Sequence, residues 1–234
     1  MSDPFKSIKR LRPGFQKSMI ANHAEIANIR LRPEGQTPQA LFITCMDSCC
    51  SAEDTFGLKP GDAFEGRPMG DLIAPYDPKD SGCIQKNAKF AFAIKKGVKD
   101  IFIVPHTDCG VANALVSELK DPDISPWLEV GKPALEQAKS KVDSNDKTIL
   151  QYETEQQIGI MNYRNILTYP AVQAALEENK INITTMLYDL IKGRVTVLDP
   201  RTEKYQKLDG FDVVEFMDRK EIPYLATNNL GELK

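Results

Sequence analysis

The chain has 234 residues, of which 41% are hydrophobic and 27% are charged, and this length is enough for one α/β domain over residues 1–234. Its 33 acidic residues outnumber its 30 Lys and Arg residues, so no basic field is present to attract nucleic acid or anionic lipid. No apolar stretch approaches the ~20 residues that span a bilayer, and the amino-terminal residues lack an export signal, so we expect a cytoplasmic protein with no membrane partner.

The first predicted elements are an arm and a helix. Residues 1–13 are polar and contain two prolines, which predicts an arm, and apolar residues at helical spacing predict a helix over residues 15–30. Together they make an N-terminal helical arm of about residues 1–34. His23 lies on this helix, and we interpret it as a packed or surface histidine rather than a metal ligand.

From residue 40 onward, predicted strands and helices alternate. The strands are short apolar runs, at residues 40–44, 63–65 (a weak pattern), 98–104, 181–187 and 195–198. The helices have apolar residues near helical spacing, at residues 83–95, 110–119, 133–142, 153–167 and 170–178. This alternation predicts the α/β class, with a mainly parallel central sheet flanked by helices and residues 195–198 as an antiparallel edge strand. The tail from about residue 207 to 234 is too apolar to be disordered, and we expect this C-terminal extension to pack on the domain or on a partner subunit.

Two polar clusters follow the two most apolar predicted strands. Cys45 and Asp47 come after one strand, and His106 and Cys109 come after the other. Because the carboxyl ends of parallel strands open into a shared crevice, Cys45, His106 and Cys109 can converge. Two thiolates and one imidazole are a catalytic zinc set, with a fourth position for water, substrate or a mobile protein ligand. Cysteine is also a common buried apolar residue, but the histidine three residues before Cys109 favours the zinc interpretation.

The order of the motifs resembles that of the β-class carbonic anhydrases. The matching segments are Cys45-Met46-Asp47-Ser48, Gly57-Leu58-Lys59-Pro60-Gly61-Asp62, a loop that bears Arg67, and His106-Thr107-Asp108-Cys109-Gly110. The resemblance covers roughly residues 35–200 and implies that family's fold, one Zn²⁺ per chain and reversible hydration of carbon dioxide to bicarbonate. It also implies a homodimer or a dimer of dimers, with the amino-terminal helix crossing to the partner subunit.

The resemblance assigns a role to Asp47 and exposes a departure. In the family, the Asp at this position hydrogen-bonds the zinc-bound hydroxide or becomes the fourth ligand, and an Arg two residues later holds it off the metal. Cys49 stands at the position of that Arg, and a thiol offers no bidentate, charge-assisted pair to a carboxylate. The expected result is a closed zinc site made by Cys45, Asp47, His106 and Cys109, with weak or gated activity.

A second departure lies in the loop that bears Arg67. The sequence Arg67-Pro68-Met69-Gly70-Asp71 keeps the Arg and the Gly of the corresponding family loop but loses both of its amides. Two interpretations of Arg67 stay open. It is either a catalytic residue that replaces the missing partner of Asp47 or an arginine at a subunit interface.

The adjacent Cys49 and Cys50 have three interpretations. They are small buried side chains, a redox pair with Cys45, or, for Cys49, an alternative metal ligand. The total of five cysteines is odd and metal claims at least two, so we expect no disulfide framework.

Three functions are compatible with these residues. The first is a carbonic anhydrase-like zinc lyase that hydrates carbon dioxide. The second is a zinc hydrolase acting on a carbon dioxide analogue, carbonyl sulfide or carbon disulfide. The third is a non-catalytic, zinc-stabilised homologue that binds a small anion or a protein partner.

Overall fold

A computed structural model describes residues 4–215, including the side chains of residues 11–213 and 215. The strands are β1 Ala40–Thr44, β2 Ala63–Gly66, β3 Asp100–Val104, β4 Asn182–Asp189, β5 Arg194–Asp199 and β6 Lys204–Asp212. The helices are α1 Pro4–Leu31, α2 Ala52–Phe56, α3 Ser81–Lys95, α4 Gly110–Val116, α5 Ser125–Leu128, α6 Lys132–Lys141, α7 Lys147–Ile166 and α8 Pro170–Glu177. Short 3₁₀ turns occupy Met69–Asp71, Glu129–Gly131 and Val213–Glu215. None of the helices within this described part is long and apolar enough to cross a membrane.

The strands form one sheet in the order β2-β1-β3-β4-β5-β6. The first four strands are parallel to each other, whereas β5 and β6 are antiparallel to their neighbours. The predicted α/β class with a mainly parallel sheet and an antiparallel edge is therefore confirmed. The assignment of the edge to residues 195–198 was wrong, because β6 pairs with the outer side of β5 and is itself the edge strand.

Helices cover both faces of the sheet, and the alternation of side chains along β1 shows this. Leu41 and Ile43 lie in one apolar cluster with Phe90 of α3 and Val172 of α8. Phe42 points to the opposite face and lies in a second cluster. Successive residues of a strand point to opposite faces, so a strand covered on both sides is apolar throughout.

Two helices differ from the sequence-based prediction. Residues 1–13 were interpreted as an arm, but α1 begins at Pro4 and continues through Pro13. Proline is well suited to a first helical turn, as at Pro4, and Pro13 in the interior removes one hydrogen bond without ending the helix. Helix α2 was not predicted. It has only five residues, with Ser51 as its N-cap and Gly57 as its left-handed C-cap.

Candidate metal centre

The sheet register brings the two polar clusters to the same end of the sheet, at the carboxyl ends of β1 and β3. Thr44 at the end of β1 pairs with Val104 at the end of β3, so the residues after both strands begin at the same level. Beyond β3, the Thr107 N–H donates to the Tyr188 carbonyl at 3.0 Å, and the Tyr188 N–H donates to the Pro105 carbonyl at 2.9 Å. These bonds continue the alignment with β4 and fix the backbone on both sides of His106.

Four side chains converge at this end of the sheet. One ligand atom from each of Cys45, Asp47, His106 and Cys109 lies within 4.8 Å of all the others, and this is the one such group within the described residues. The Asp47 Oδ2 atom lies 3.3 Å from His106 Nε2. Cys45, His106 and Cys109 are almost completely buried, whereas the Asp47 side chain is 37% exposed. Two thiols, one imidazole and one carboxylate in this arrangement fit a tetrahedral zinc ion.

The orientation of the imidazole also fits a metal. His106 Nδ1 lies 2.8 Å from the Thr107 carbonyl oxygen, which assigns the ring proton to Nδ1. His106 Nε2 is buried and has no hydrogen-bond partner among the described residues. An imidazole that donates through one nitrogen presents the lone pair of the other one, which is the usual arrangement of a zinc-binding histidine.

The two thiols have opposite pKa shifts. Contact with Cys109 lowers the pKa of Cys45 to about 4, against the opposing effect of burial. Contact with Cys45, reinforced by burial, raises the pKa of Cys109. For His106, burial lowers the pKa, but the neighbouring Cys45 and Cys50 outweigh this effect and raise the value to about 11. Two neighbouring thiolates repel each other, so both ionise together only beside a cation.

Groups outside the four-residue cluster bond the Cys45 thiol and the Cys109 backbone. The Gly70 N–H donates to Cys45 Sγ at 3.2 Å. The Cys109 N–H donates to the Glu155 carboxylate at 3.0 Å, and the Gln151 amide donates to the same oxygen at 3.1 Å. Burial raises the pKa of Glu155 to about 7. Such outer partners orient metal ligands and adjust their charge.

Helix α7 also fixes the loop that carries Gly70. The Asn162 side chain accepts from the Ile73 N–H at 2.8 Å and donates at 3.0 Å to the Asp71 carbonyl and to the Asp71 carboxylate. Asn162 and Asp71 are both buried, and burial raises the pKa of Asp71 well above its usual value. One buried amide therefore determines the path of the loop.

Gly70 is the residue that this loop conformation requires. Its φ is +68°, a region that residues with a side chain adopt only at a cost. A Cβ atom at this position would lie 2.6 Å from the Cβ of Val111. Only glycine combines this backbone conformation with so close an approach to α4, and the result is the amide directed at Cys45.

Arg67 contacts the site through the main chain. Its Nε donates to the Cys45 carbonyl at 2.9 Å, and its Nη2 donates to the Asp47 carbonyl at 2.5 Å. The interpretation of Arg67 as a substitute partner for the Asp47 carboxylate therefore needs correction, since the guanidinium bonds carbonyl oxygens. The Gly110 N–H donates to Asp47 Oδ2 at 3.5 Å.

The remaining sequence candidates lie outside the cluster. His23 is exposed on α1. Cys50 is buried, as expected for a small filling side chain, but Cys49 is exposed. The described cysteines are all free thiols.

Sequence reasoning missed Gln151, Glu155 and Asn162, which are the residues of α7 that support the site. The indication was present, because polar residues recur four and seven positions apart on a helix that also carries core residues. The predicted helix began at residue 153, six residues after the observed start, so Gln151 was left outside it.

Comparisons with known proteins agree with this geometry. A sequence profile of the carbonic anhydrase family matches residues 40–195. Carbonic anhydrase 1 of Escherichia coli O157:H7 is 30% identical over 178 residues, which cover 74% of this chain and 79% of the relative. The carbonic anhydrase of Pseudomonas aeruginosa is 29% identical over 176 residues, with the same coverage of 74% and 79%.

Solved structures share the fold. The β-carbonic anhydrase CcaA aligns with a TM-score of 0.73 at 22% identity, covering 86% of this chain and 100% of that one. One of the tetrameric β-carbonic anhydrases of Sordaria macrospora aligns with a TM-score of 0.69 at 21% identity, covering 83% and 96%.

Proposed function

Because this chain belongs to the carbonic anhydrase family, in its β class, we propose that it catalyses the zinc-dependent, reversible hydration of carbon dioxide to bicarbonate. The observation that carries the proposal is the convergence of Cys45, Asp47, His106 and Cys109 within 4.8 Å. Cys45 and His106 follow the carboxyl ends of two adjacent parallel strands, β1 and β3. This is where α/β proteins place their binding sites.

Each residue has a distinct part in this proposal. Zinc, when bound, supplies a Lewis acid that lowers the pKa of water at its open position from ~16 toward ~7. Cys45, His106 and Cys109 would hold the ion. The Thr107 carbonyl keeps the His106 proton on Nδ1, and the Gly70 amide stabilises the Cys45 thiolate.

Asp47 controls the fourth position of the site. Its carboxylate lies inside the cluster, 3.3 Å from His106 Nε2, which supports a resting state in which Asp47 would be the fourth ligand of a bound zinc ion. Arg67 is a positioning residue, because it holds the loop from Cys45 to Asp47 by two carbonyl groups and leaves the carboxylate free to turn inward. Activity near neutral pH is therefore weak and depends on the release of Asp47.

The proposal extends to assembly and location. We propose a homodimer or a dimer of dimers, which the long exposed α1 and the tetrameric relatives of Sordaria macrospora support. Free thiols throughout the described chain support a reducing compartment, the cytoplasm.

Zinc content and carbon dioxide hydration together test this function. The purified protein is expected to contain one zinc per chain, and His106→Ala is expected to lose the zinc and to reduce the stopped-flow hydration rate by more than about 100-fold. His23→Ala removes the exposed histidine of α1 and is the matched control, with unchanged zinc and rate. Full zinc content in His106→Ala would contradict the ligand assignment.

The same assay separates the alternatives. Wild-type protein with full zinc that consumes carbonyl sulfide but not carbon dioxide is a hydrolase of a carbon dioxide analogue. Fully loaded protein that consumes neither compound is a non-catalytic homologue.

A further inference from the structure

The loop after Asp47 carries two adjacent thiols that the proposed reaction does not use. Cys49 Sγ and Cys50 Sγ lie 3.6 Å apart. Cys49 is exposed, and Cys50 is 4% exposed. The Cys50 N–H donates to the Asp47 carbonyl at 3.2 Å, and Arg67 donates to the same carbonyl, so the turn that presents both thiols is held from two sides.

The separation of the sulfur atoms suits a metal ion. Two Zn–S bonds of about 2.3 Å at the tetrahedral angle place their sulfur atoms about 3.8 Å apart. A disulfide needs sulfur atoms about 2.0 Å apart and Cα atoms about 4.4–6.8 Å apart. The Cα atoms of adjacent residues across a trans peptide are only about 3.8 Å apart, and no described peptide bond is cis. Cys49 and Cys50 are therefore better placed to chelate a cation than to form a disulfide.

The pair also lies between the solvent and the buried cluster. Cys49 faces the solvent, whereas Cys50 is buried, three residues along the chain from Asp47 of the cluster. A cation held by the two thiols is thus held by the same turn as Asp47, a residue of the buried cluster.

We propose that Cys49 and Cys50 capture a thiophilic divalent cation, Zn²⁺, at the surface and transfer it to the buried cluster. Capture releases one proton from each thiol as the two Zn–S bonds form. Transfer is a ligand exchange without electron transfer. The bonds to Cys49 and Cys50 break and these sulfurs regain protons, while bonds to Cys45, His106 and Cys109 form and the two thiols among them lose theirs.

Stoichiometry is the first test. Zinc-loaded protein is titrated with further Zn²⁺ and the ions per chain are counted by native mass spectrometry. We expect two for wild type and one for Cys49→Ser, a change of an exposed side chain that leaves the fold intact. Cys83→Ser, which removes a buried thiol of α3, is the matched control and is expected to keep two. A wild-type count of one, or a second ion retained by Cys49→Ser, would overturn the proposal.

The rate of metal exchange tests the transfer step. Zinc-loaded protein is mixed with an enriched zinc isotope, and replacement of the resident ion is followed by mass spectrometry. A route by which the ion enters is also a route by which it leaves. Cys49→Ser and Cys50→Ser are therefore expected to exchange their zinc about tenfold more slowly than wild type. The content of tightly held zinc is expected to stay at one ion per chain. Equal exchange rates would refute the transfer step. Neither measurement uses carbon dioxide, so they fail independently of the proposed activity.

Discussion

In the proposed function, the side chain of Asp47 controls the fourth position of the zinc site, and Cys49 stands where the family carries the arginine that holds this Asp off the metal. The sequence suggested that Cys49 fills a small buried space, where a longer side chain overpacks the core at a cost of ~1–3 kcal/mol. In the structure Cys49 is exposed, so a longer arginine side chain at this position does not overpack the core. The missing partner of Asp47 can therefore be restored with little cost in stability.

Cys49→Arg is expected to raise carbon dioxide hydration near neutral pH. An exposed carboxylate–guanidinium pair contributes about 0.2–1 kcal/mol, so drawing Asp47 away from the cluster raises the rate up to about fivefold. Stopped-flow hydration is measured on wild type and variant with equal zinc content, because the same substitution removes a metal-capturing thiol. A folded, fully loaded variant with an unchanged or lower rate would show that Asp47 does not gate the site.

Asp71 is a buried carboxylate at a position where the family carries an amide, and Asp71→Asn is expected to stabilise the protein. Burial raises the folded-state pKa of Asp71, so the native state binds a proton more tightly than the unfolded state, and the free energy of unfolding falls as the pH rises above about 4. Asparagine accepts the hydrogen bond from Asn162 equally well and tolerates the φ of 48°.

Urea unfolding measures this effect. The variant is expected to be more stable by about 1–3 kcal/mol at pH 8, with a smaller difference at pH 5. The comparison at each pH cancels the pH dependence of zinc binding, which both proteins share. A difference that does not grow with pH would mean that Asp71 is not protonated in the native state.

At the scale of elements, the sequence predicts best the strands that are buried on both faces. β1 was predicted with its observed bounds and β3 ends at the predicted residue, because uninterrupted apolar runs of this length are typical of central parallel strands. The ends of these two strands carry Cys45 and His106. The same pattern that predicts the sheet therefore predicts the metal cluster.

The elements that sequence reasoning missed have no apolar pattern of their own. Most residues of β6 are exposed, and the strand forms because β5 offers it an edge to pair with. Asn162 is distant in sequence from the loop that it holds, and a buried amide in a helix reveals its partner only when the helix is packed. Tertiary contacts, which the sequence pattern does not contain, determine both features.

The support that α7 gives to the metal cluster is testable with Asn162→Ala. The substitution leaves the buried Ile73 N–H without a partner, at a cost of about 1–3 kcal/mol, and frees the loop whose Gly70 amide donates to Cys45. Zinc affinity is expected to fall about tenfold, measured by competition with a chelator. Gln156→Ala on the same helix controls for helix propensity and is expected to retain zinc. Loss of stability with unchanged zinc affinity would restrict Asn162 to a purely structural role.

At the scale of the whole molecule, α1 is the element whose exposed apolar side chains the packing of a single chain accounts for least. It has 28 residues and is therefore about 42 Å long, yet Phe15 is 63% exposed and Ile20 is 88% exposed. Strand β2 is the outer strand at the other edge of the sheet from β6, and its outer hydrogen-bonding groups lack a strand partner among the described residues. Both features expose groups that a second subunit would cover.

Light scattering at micromolar concentration is expected to give at least twice the chain mass of 26.2 kDa. Closed symmetric pairs are the commonest assemblies, and a helix that projects from each chain can pack on its partner in both directions. Introducing charge with Ile20→Asp is expected to shift the protein toward monomer, because a carboxylate buried at an interface without a partner is strongly unfavourable. Ile149→Asp changes an exposed isoleucine of α7 in the same way and is the control, with an unchanged mass. A wild-type protein that remains monomeric across the concentration range would refute the proposed dimer, and α1 would then be an extended surface helix of a single chain.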